Sequence, residues 1–367
     1  MMAAHASKID RFFLISIGVL TLTGFVIFLS ASLGLLTQNG VNFTTVALKQ
    51  VASLAIGLGA FYAFSKIKYT LLRRTALFIF LAAIAVNLLL FIPSLSLFHG
   101  GAARWINIGP LSFQPSEFLK IAFVIYLAAW IQFAKDRISS IKFGLLPYII
   151  ITIILGILLL AQSDTDTFLI IAFTGIVMLI IAGMPIKHVL LAGGALVLVV
   201  VGVVVMRPYA YQRVQTFFSG GSDSRGAGYQ INQSQIAIGS GQLTGRGFGQ
   251  SIQKFGYLPQ PTDDSIFAVA GEEFGFIGSS ILVALYILVA VSSFRIAGKS
   301  QDLFGGMIAV GIAIIIVTES FLNMSAMIGL VPLSGVPLLF VSHGGTALII
   351  ILAASGIVAN VSKYAKS

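Results

Sequence analysis

Ten long apolar runs, separated by polar connections, occupy most of this chain of 367 residues. An α-helix that crosses a bilayer needs about 20 mostly apolar residues, and each run is near that length. We therefore predict an all-α polytopic membrane protein, with a single integral membrane domain over residues 1–367. Its ten transmembrane helices are expected over residues 12–35, 44–64, 72–93, 116–134, 144–162, 167–184, 187–206, 266–294, 303–326 and 343–361.

The composition excludes several classes of protein. Charged residues make up 9% of the chain and hydrophobic residues 57%, whereas about a quarter of the residues in a soluble protein are charged. A cytosolic enzyme, a disulfide-framed secreted domain and a disordered chain are therefore excluded. The chain has no cysteine, which excludes thiol nucleophiles, thiolate metal sites and redox switching. Its four histidines are scattered and do not indicate a zinc site.

Basic side chains mark one side of the predicted bundle. Fourteen of the 22 lysines and arginines, but only three of the 12 acids, fall in the two tails and in alternate connections, which gives that side a net charge of +11. The other side carries a net charge of −1. Because cytoplasmic loops carry the excess of lysine and arginine, both termini are predicted to be cytoplasmic. The basic balance thus indicates topology and contact with anionic lipids, with no nucleic-acid partner.

One connection is much longer than the others. Residues 207–263, between the seventh and eighth predicted helices, hold most of the charge on the external side and several glycines. A long external loop on a compact bundle is where substrate handling is expected. The alternative is a poorly ordered connector.

Ionisable side chains near the helix ends indicate where the chemistry lies. A charge at the centre of a bilayer costs at least about 2.5 kcal/mol, so such residues usually face a cavity or a partner. Glu117 and Lys120 lie three residues apart on one helix face, where they can neutralise each other. They are either cavity residues or a structural ion pair. The other acids predicted at this end are Asp164, Asp166, Asp263, Asp264, Glu272, Glu273 and Glu319.

Asp263 and Asp264 directly precede the eighth predicted helix. An aspartate in this position can accept hydrogen bonds from the free amides of the first helical turn. One acid of the pair can therefore cap the helix while the other takes part in chemistry.

Arg104 and Trp105 lie in a loop flanked by glycine and proline, between the third and fourth predicted helices. The planar fork of an arginine suits a diphosphate. Trp105 either stacks on a sugar or anchors among lipid headgroups. Lys49 adds a cation at the same end of the bundle. Together with the acids, these residues predict an outward-facing polar cavity for an anionic, lipid-linked substrate.

A glycine-rich stretch, residues 239–249, suggests a phosphate-binding loop at first sight. It lacks both the Lys-Ser/Thr ending and the preceding strand of such a loop. We therefore predict that its glycines serve close-packed or flexible backbone.

The longer motifs resemble the SEDS family, the shape, elongation, division and sporulation proteins that include RodA, FtsW and SpoVE. The resemblance extends over nearly the whole chain. It rests on residues 101–110, 114–120, 230–249 and 257–273, and on Asn323 with residues 329–345. The residues around Tyr229 and Gln230 are more similar to the FtsW branch than to RodA.

This resemblance implies a ten-helix glycosyltransferase that polymerises lipid II into peptidoglycan strands at the outer face of the bacterial cytoplasmic membrane, for cell division or elongation. The family's essential aspartate lies in a Leu-Pro-x-x-x-x-Asp pattern, which places it on Asp264. Asp263 is the alternative register. The implied role of Asp264 is that of a general base on the acceptor sugar hydroxyl.

The resemblance and the charges together extend the candidate site. The cations expected to stabilise a lipid pyrophosphate leaving group are Arg104, Lys120, Arg213 and Lys49. A divalent cation, magnesium or manganese, held by Asp164 or Glu117 is an additional candidate, and no organic cofactor is expected. The other candidates for substrate binding are Trp105, Glu117, Gln230, Ser234, Lys254 and Ser342.

The chain departs from the family's pattern at several positions. Ser163 stands where the family usually has proline, and Asp166 stands where it usually has glycine. His343 replaces a tyrosine, and Glu319 replaces what is often glutamine. None of these departures removes Asp264.

The family usually works beside a class B penicillin-binding protein, a transpeptidase that crosslinks the strands, and beside other membrane proteins of the division or elongation machinery. Two other functions stay open from the sequence. One is a lipid II flippase, which needs a cavity that opens to both faces, whereas the ionisable groups here are biased outward. The other is a non-catalytic scaffold of the division machinery.

Overall fold

The computed structural model describes residues 9–37, 42–99, 102–108, 111–218 and 226–365. These residues form twelve α-helices and one antiparallel sheet of three strands. The helices are α1 (Arg11–Ser32), α2 (Phe43–Lys66), α3 (Tyr69–Leu88), α4 (Pro115–Ala134), α5 (Leu146–Ala161), α6 (Thr165–Ile181), α7 (Ile186–Met206), α8 (Pro208–Phe218), α9 (Ala227–Ser240), α10 (Ile266–Lys299), α11 (Leu303–Met327) and α12 (Gly345–Ser362). The strands are β1 (Ser96–His99), β2 (Ala102–Ile108) and β3 (Leu111–Phe113).

Ten of the helices correspond to the ten apolar runs. Within the described ranges, nine helices, some extended by a short 3₁₀ or π-helical turn, are long and apolar enough to cross a membrane. The tenth, α6, is apolar but has only 17 residues. The predicted polytopic helical fold is confirmed, and the chain is a multi-pass membrane protein. The other two helices, α8 and α9, lie in the long connection.

The centre of the bundle is formed by α4, α11 and α12, and most of their residues are buried. In α7, by contrast, only 11% of the apolar stretch is buried inside the protein. Small residues allow the close approach of the central helices. A side chain at Gly311 of α11 would place its Cβ 2.5 Å from Val124 of α4 and 2.9 Å from Met178 of α6. At this point α11 therefore packs against both neighbours with its bare backbone.

The sequence predicts a loop between α3 and α4, whereas the structure has a three-stranded sheet there. In the sheet, β2 pairs with β1 on one side and with β3 on the other. The strands are only four, seven and three residues long. Their side-chain alternation is too short to distinguish them from a turn-rich loop. The sheet fixes the position of Arg104, which lies in its central strand.

The long connection returns to the bundle through tightly packed glycines. Gly275, within α10, has a φ of 64° and Gly245 a φ of 79°, a region that favours glycine. A Cβ on Gly245 would overlap the carbonyl of Glu273, and one on Gly275 would overlap the Gly245 amide. The prediction of close-packed backbone for the glycine-rich stretch is confirmed at Gly245.

Residues 328–344, between α11 and α12, form no regular helix or strand, yet many of them are buried. Tyr286 of α10 donates a hydrogen bond to the carbonyl of Leu339. Gly24 of α1 packs directly on the carbonyl of Phe340. Irregular backbone at membrane depth is tolerated where it is buried in protein or lines a cavity. This segment lies at the end of the bundle where α5 and α7 finish and α6 and α10 begin, which we call the site end.

Candidate active site

Three charged side chains converge on Gly335, in the irregular segment before α12. The position that a Cβ on Gly335 would occupy lies 3.6 Å from Arg213 Nη2, 3.8 Å from Asp264 Oδ2 and 3.9 Å from Arg104 Nη1. These residues come from α8, from the turn before α10 and from β2. A carboxylate and two guanidinium groups thus surround a point that carries no side chain.

Two polar side chains, Asn323 and Ser342, hold the backbone that carries the two aspartates. Asn323 of α11 donates from Nδ2 to the carbonyls of Asp264 (2.8 Å) and Val336 (2.9 Å). The hydroxyl of Ser342 donates to the carbonyl of Asp263 (2.7 Å). Asn323 therefore joins the Asp264 turn to the segment that contains Gly335. Neither aspartate caps α10, whose N-cap residue is Ser265 with no side-chain capping bond, so the capping alternative is wrong.

His343 extends this support. Its backbone amide donates to the carbonyl of Thr262 (2.8 Å), and its ring stacks on Phe28 of α1 at 5.6 Å between centroids. Its Nδ1 lies 3.2 Å from Gln50 Oε1. Lys49, the neighbour of Gln50 on α2, is exposed. The structure thus uses His343 to hold the aspartate turn, and places Lys49 at the periphery.

The surroundings of both aspartates disfavour their ionised forms. Burial raises the pKa of Asp264 to about 7, Asp166 contributes in the same direction, and Arg213 and Arg104 oppose the increase. Burial, followed by the charge of Asp264, raises the pKa of Asp263 to about 7. A carboxyl group with a pKa near the working pH is suited to general base catalysis. Of the two aspartates, only Asp264 has arginines among the groups that shift its pKa.

Arg104 and Arg213 are each anchored by α6 or the turn before it. Arg104 Nη2 donates to the carbonyl of Ser163, while its Nε is buried with no partner among the described residues. Arg213 Nη1 lies 3.1 Å from Asp166 Oδ2. Ser163 has a φ of 58°, which a proline ring cannot adopt. The turn at Ser163 therefore has a backbone geometry that the family's usual proline would exclude.

Trp105 follows Arg104 in β2, opposite Leu97 of β1, and is partly exposed. The register of this pair shifts at the next position, where Phe98 pairs with Ala103, so Arg104 is the extra residue of a β-bulge. A bulge interrupts the regular alternation of a strand and re-aims a side chain. The stacking and anchoring roles of Trp105 both stay predictions.

Glu117 and Lys120 lie in a closed cluster with Glu319. Lys120 Nζ is 2.9 Å from Glu117 Oε1 and also contacts Glu319 Oε2, and all three side chains are at most 4% exposed. The cavity that they line is too small for a water molecule. The predicted pairing of Glu117 with Lys120 is confirmed, and Glu319 of α11 joins the pair, which the sequence does not indicate. A substrate could reach Lys120 only if this cluster opened.

Removing Lys120 should test whether the cluster is structural. Lys120→Met leaves two buried carboxylates without a cation, which is expected to cost about 3 to 5 kcal/mol of folding free energy. Glu319→Gln keeps a hydrogen-bonding partner and should cost much less. Thermal unfolding of the detergent-solubilised variants measures both. A Lys120→Met protein that is inactive but as stable as the wild type would instead assign Lys120 to substrate binding.

Lys254 is fully buried and holds the long connection to the bundle. Its Nζ lies 2.6 Å from Glu273 Oε1, 3.1 Å from Ser30 Oγ and 3.0 Å from the carbonyl of Gly249. The neighbouring Glu272 accepts hydrogen bonds from the hydroxyl of Ser251 and from two amides of the same turn. The structure thus gives Lys254 an internal partner.

The two candidates on α9 make helix contacts. Gln230 Nε2 donates to the hydroxyl of Ser265 (2.9 Å), at the start of α10, and Gln230 is partly exposed. Ser234 is buried and its hydroxyl lies 3.3 Å from Met327 Sδ. Gln230 therefore borders the Asp264 turn, whereas Ser234 packs between α9 and α11.

The two carboxylates proposed for a metal are occupied differently. Asp164 caps α6 by accepting from the amide of Thr167 (3.4 Å), and its Oδ2 is buried with no partner in the described part of the chain. Glu117 is engaged by Lys120. Among the described residues, no group of three or more His, Asp or Glu side chains could hold a metal ion. The described side chains therefore do not fit a preassembled metal centre.

Two residues of the site, Asn323 and Gly335, received no role from the sequence alone. Both fall inside motifs that carry the family resemblance, and that was their only signal. Gly335 matters because three charged groups surround the position that a side chain would occupy, and Asn323 matters because it connects two distant turns. Neither arrangement can be read from a single sequence.

Comparisons with known proteins agree with this architecture. The profile of the FtsW/RodA/SpoVE family, described as "Cell cycle protein", matches residues 10–367. Stage V sporulation protein E of Bacillus subtilis (strain 168) is 34% identical over 320 residues, which is 87% of each chain. The probable peptidoglycan glycosyltransferase FtsW of Trichlorobacter lovleyi is 35% identical over 356 residues, covering 97% of this chain and 93% of that protein.

Solved structures share the fold. A chain from "Structural coordination of polymerization and crosslinking by a peptidoglycan synthase complex" superimposes with a TM-score of 0.79 at 24% identity, covering 99% of this chain and 98% of that one. The rod shape determining protein RodA of Thermus thermophilus gives a TM-score of 0.71 at 23% identity, covering 96% of both chains. The chain belongs to the FtsW/RodA/SpoVE family.

Proposed function

We propose that this protein is a peptidoglycan glycosyltransferase of the FtsW-like branch, which polymerises lipid II at the outer face of the bacterial cytoplasmic membrane. The observation that carries the proposal is the convergence of Asp264, Arg104 and Arg213 on the bare backbone of Gly335. A base and two cations around an open point, at one end of a membrane bundle, suit the reaction of a lipid-linked sugar diphosphate. The name of the FtsW relatives supports the same activity.

The chemistry follows from the roles of these groups. The hydroxyl oxygen of the acceptor sugar forms a bond to the anomeric carbon of the donor, and the bond from that carbon to the lipid diphosphate breaks. Asp264 accepts the hydroxyl proton, which contributes about 100-fold to 10,000-fold to the rate. A single displacement of this kind inverts the anomeric centre.

The leaving diphosphate requires charge stabilisation more than a proton. Arg104 on β2 and Arg213 on α8 each present a planar guanidinium group. Such groups match phosphate oxygens in geometry and charge. Both are held in place before substrate arrives, Arg104 by Ser163 and Arg213 by Asp166. Preorganised donors of this kind stabilise developing charge without reorganising during the reaction.

A groove in the hydrocarbon region supports a lipid-linked substrate. It has a volume of about 300 Å³, lies between α5, α6 and α7, and is lined almost entirely by apolar residues. At the site end of the groove, Leu160 lines the wall, and its carbonyl accepts a hydrogen bond from Arg207 Nη2 (3.4 Å). Three residues further, the carbonyl of Ser163 contacts Arg104. A polyprenyl chain in this groove would thus have its diphosphate next to the arginines.

The sidedness of the site belongs to the proposal. The basic connections lie at the opposite end of the bundle from Asp264, and lysine and arginine favour the cytoplasmic side. The site end is then extracytoplasmic and both termini are cytoplasmic. We further propose that a class B penicillin-binding protein and other membrane proteins of the division or elongation machinery accompany this chain. The peptidoglycan synthase complex that shares its fold supports a partner of that kind.

A divalent cation is proposed only as a companion of the substrate. Magnesium commonly binds through one or two carboxylates together with substrate phosphates, and the unpartnered Oδ2 of Asp164 is the carboxylate oxygen that could join it. No bond-making, bond-breaking or proton-transfer step of the proposed reaction depends on the ion. Titrating magnesium or manganese into chelator-treated enzyme measures whether it is required.

The pH dependence should report the base. Asp264 acts when ionised, so its raised pKa predicts that kcat/KM increases with pH and levels off above an inflection near the value of about 7. Below the inflection the rate should fall about tenfold per pH unit. The pH profile of lipid II polymerisation checks this, with Asp263→Asn as the control that keeps an inflection, displaced to lower pH because one neighbouring negative charge is lost. A flat profile from about pH 5.5 to 8 would contradict a base with this pKa.

The function is tested by incubating the purified protein with lipid II in the absence of other enzymes. The proposal predicts glycan polymer, separated by length on a gel. The flippase alternative predicts transfer of lipid II across enzyme-free vesicles that survives loss of Asp264, with no polymer. The scaffold alternative predicts neither activity and full complementation of growth by Asp264→Asn.

A further inference from the structure

Asp166 forms an ion pair with Arg213 inside the proposed site, and it has no part in the bond-making, bond-breaking or proton-transfer steps of the proposed reaction. It is the second residue of α6, at the position where the resembled pattern has glycine. Its Oδ2 lies 3.1 Å from Arg213 Nη1, and the two side chains are 18% and 19% exposed. The pair is therefore largely shielded, which makes it stronger than a surface salt bridge.

The two ends of the Arg213 guanidinium are directed at different groups. Nη1 is bound by Asp166, and Nη2 lies 3.6 Å from the position that a Cβ on Gly335 would occupy. Asp264 Oδ2 lies 3.8 Å from the same Cβ position. A guanidinium is planar and rigid, so fixing one nitrogen determines the direction of the other. The contact with Asp166 therefore aims Nη2 at the open point.

The helix that carries Arg213 provides little support of its own. Among the described side chains of α8, only Thr216 is buried. A helix with so little buried surface is held weakly by packing. Its position relative to the site therefore depends on individual side-chain contacts, of which the Asp166 pair is one.

We infer that Asp166 is a positioning residue, which holds Arg213 over Gly335 for the diphosphate of the substrate and keeps it from pairing with Asp264. The inference rests on the proposed function. Two carboxylates, Asp166 and Asp264, compete for one guanidinium. Without Asp166, Arg213 would turn to Asp264, which would withdraw a cation from the diphosphate and also weaken the base.

The charged groups that face Asp264 make this competition measurable. They are Asp263 on its own turn, Asp166 on α6, Arg213 on α8 and Arg104 on β2. Asp166 raises the pKa of Asp264, and Arg213 lowers it. Loss of the Asp166 charge removes the first influence and strengthens the second, so the inflection of the pH profile should move to lower pH.

The test compares Asp166→Asn with the wild type in lipid II polymerisation. Asp166→Asn is expected to raise KM for lipid II about tenfold, as for the loss of one charge-assisted contact, and to move the inflection down by about one pH unit. Asp166→Glu, which keeps the charge, should restore most of both. Asp136→Asn, which removes an acid from the other end of the bundle, should change neither.

The outcomes of this experiment distinguish a failure of the proposed function from a failure of the role of Asp166. A wild-type protein that does not polymerise lipid II overturns the proposed function. An active wild type with unchanged KM and inflection in a folded Asp166→Asn protein overturns the role of Asp166 alone. If Asp166→Asn is impaired and a folded Asp166→Glu is not rescued, the carboxylate charge is not what positions Arg213, and the inference is again overturned.

Discussion

Asp264→Asn is expected to reduce the turnover of lipid II by about 100-fold to 10,000-fold, the contribution of a positioned general base. Asparagine has nearly the shape of aspartate but cannot accept the proton. The contacts that hold this turn, from Asn323 and Ser342, are made to backbone carbonyls. The variant should therefore fold like the wild type, and its loss of turnover should be chemical.

Asp263→Asn is the matched control. Asp263 is the sequence neighbour of Asp264 and is held by the same network, but arginines influence the pKa of Asp264 and not that of Asp263. The control is expected to keep most of its activity in the same polymerisation assay. Loss of activity in Asp263→Asn with retention in Asp264→Asn would move the base by one residue. Full activity in both would remove the carboxylate from the mechanism.

Gly335→Leu is expected to abolish most of the activity, by about 100-fold or more, because small displacements of reacting groups already cost that much. Its side chain would fill the space between Arg104, Arg213 and Asp264. Gly335→Ala would place a methyl group 3.6 to 3.9 Å from these three groups, at ordinary contact distances. It should therefore fold normally and show an intermediate loss, measured as kcat/KM for lipid II.

Gly344→Ala provides the control for this series. Its Cβ would lie 3.4 Å from Ala347 Cβ and 3.9 Å from Pro337 Cβ, with none of the three charged groups within 4 Å. It lies in the same irregular segment, so it reports the general sensitivity of that segment to an added methyl group. Activity that declines equally in Gly335→Ala and Gly344→Ala would show that the segment, and not the space over Gly335, is what matters.

The helices were predictable because a membrane span leaves a long, simple signal. An apolar run of about 20 residues predicts a membrane-spanning helix by its length and composition alone. The pairing of Glu117 with Lys120 follows from helical spacing alone. Asp264 was found from an ordered motif that includes the Leu-Pro pair before it. Each of these conclusions depends on residues that are close together in the sequence.

The remaining features depend on distant residues. Glu319 reaches Lys120 across 199 positions, and Lys254 reaches Ser30 across 224. Nothing local in the sequence distinguishes Lys254, a buried structural cation, from Arg213, a cation that faces the site. The sequence grouped both as substrate contacts, and only the folded arrangement separates them.

The most direct test of the site is a structure of the Asp264→Asn protein with lipid II bound. We expect the diphosphate to lie over Gly335, between the guanidinium groups of Arg104 and Arg213, with a sugar hydroxyl of the acceptor facing residue 264. A diphosphate bound elsewhere, for example beside Lys49 or in an opened Lys120 cluster, with neither arginine in contact, would contradict it.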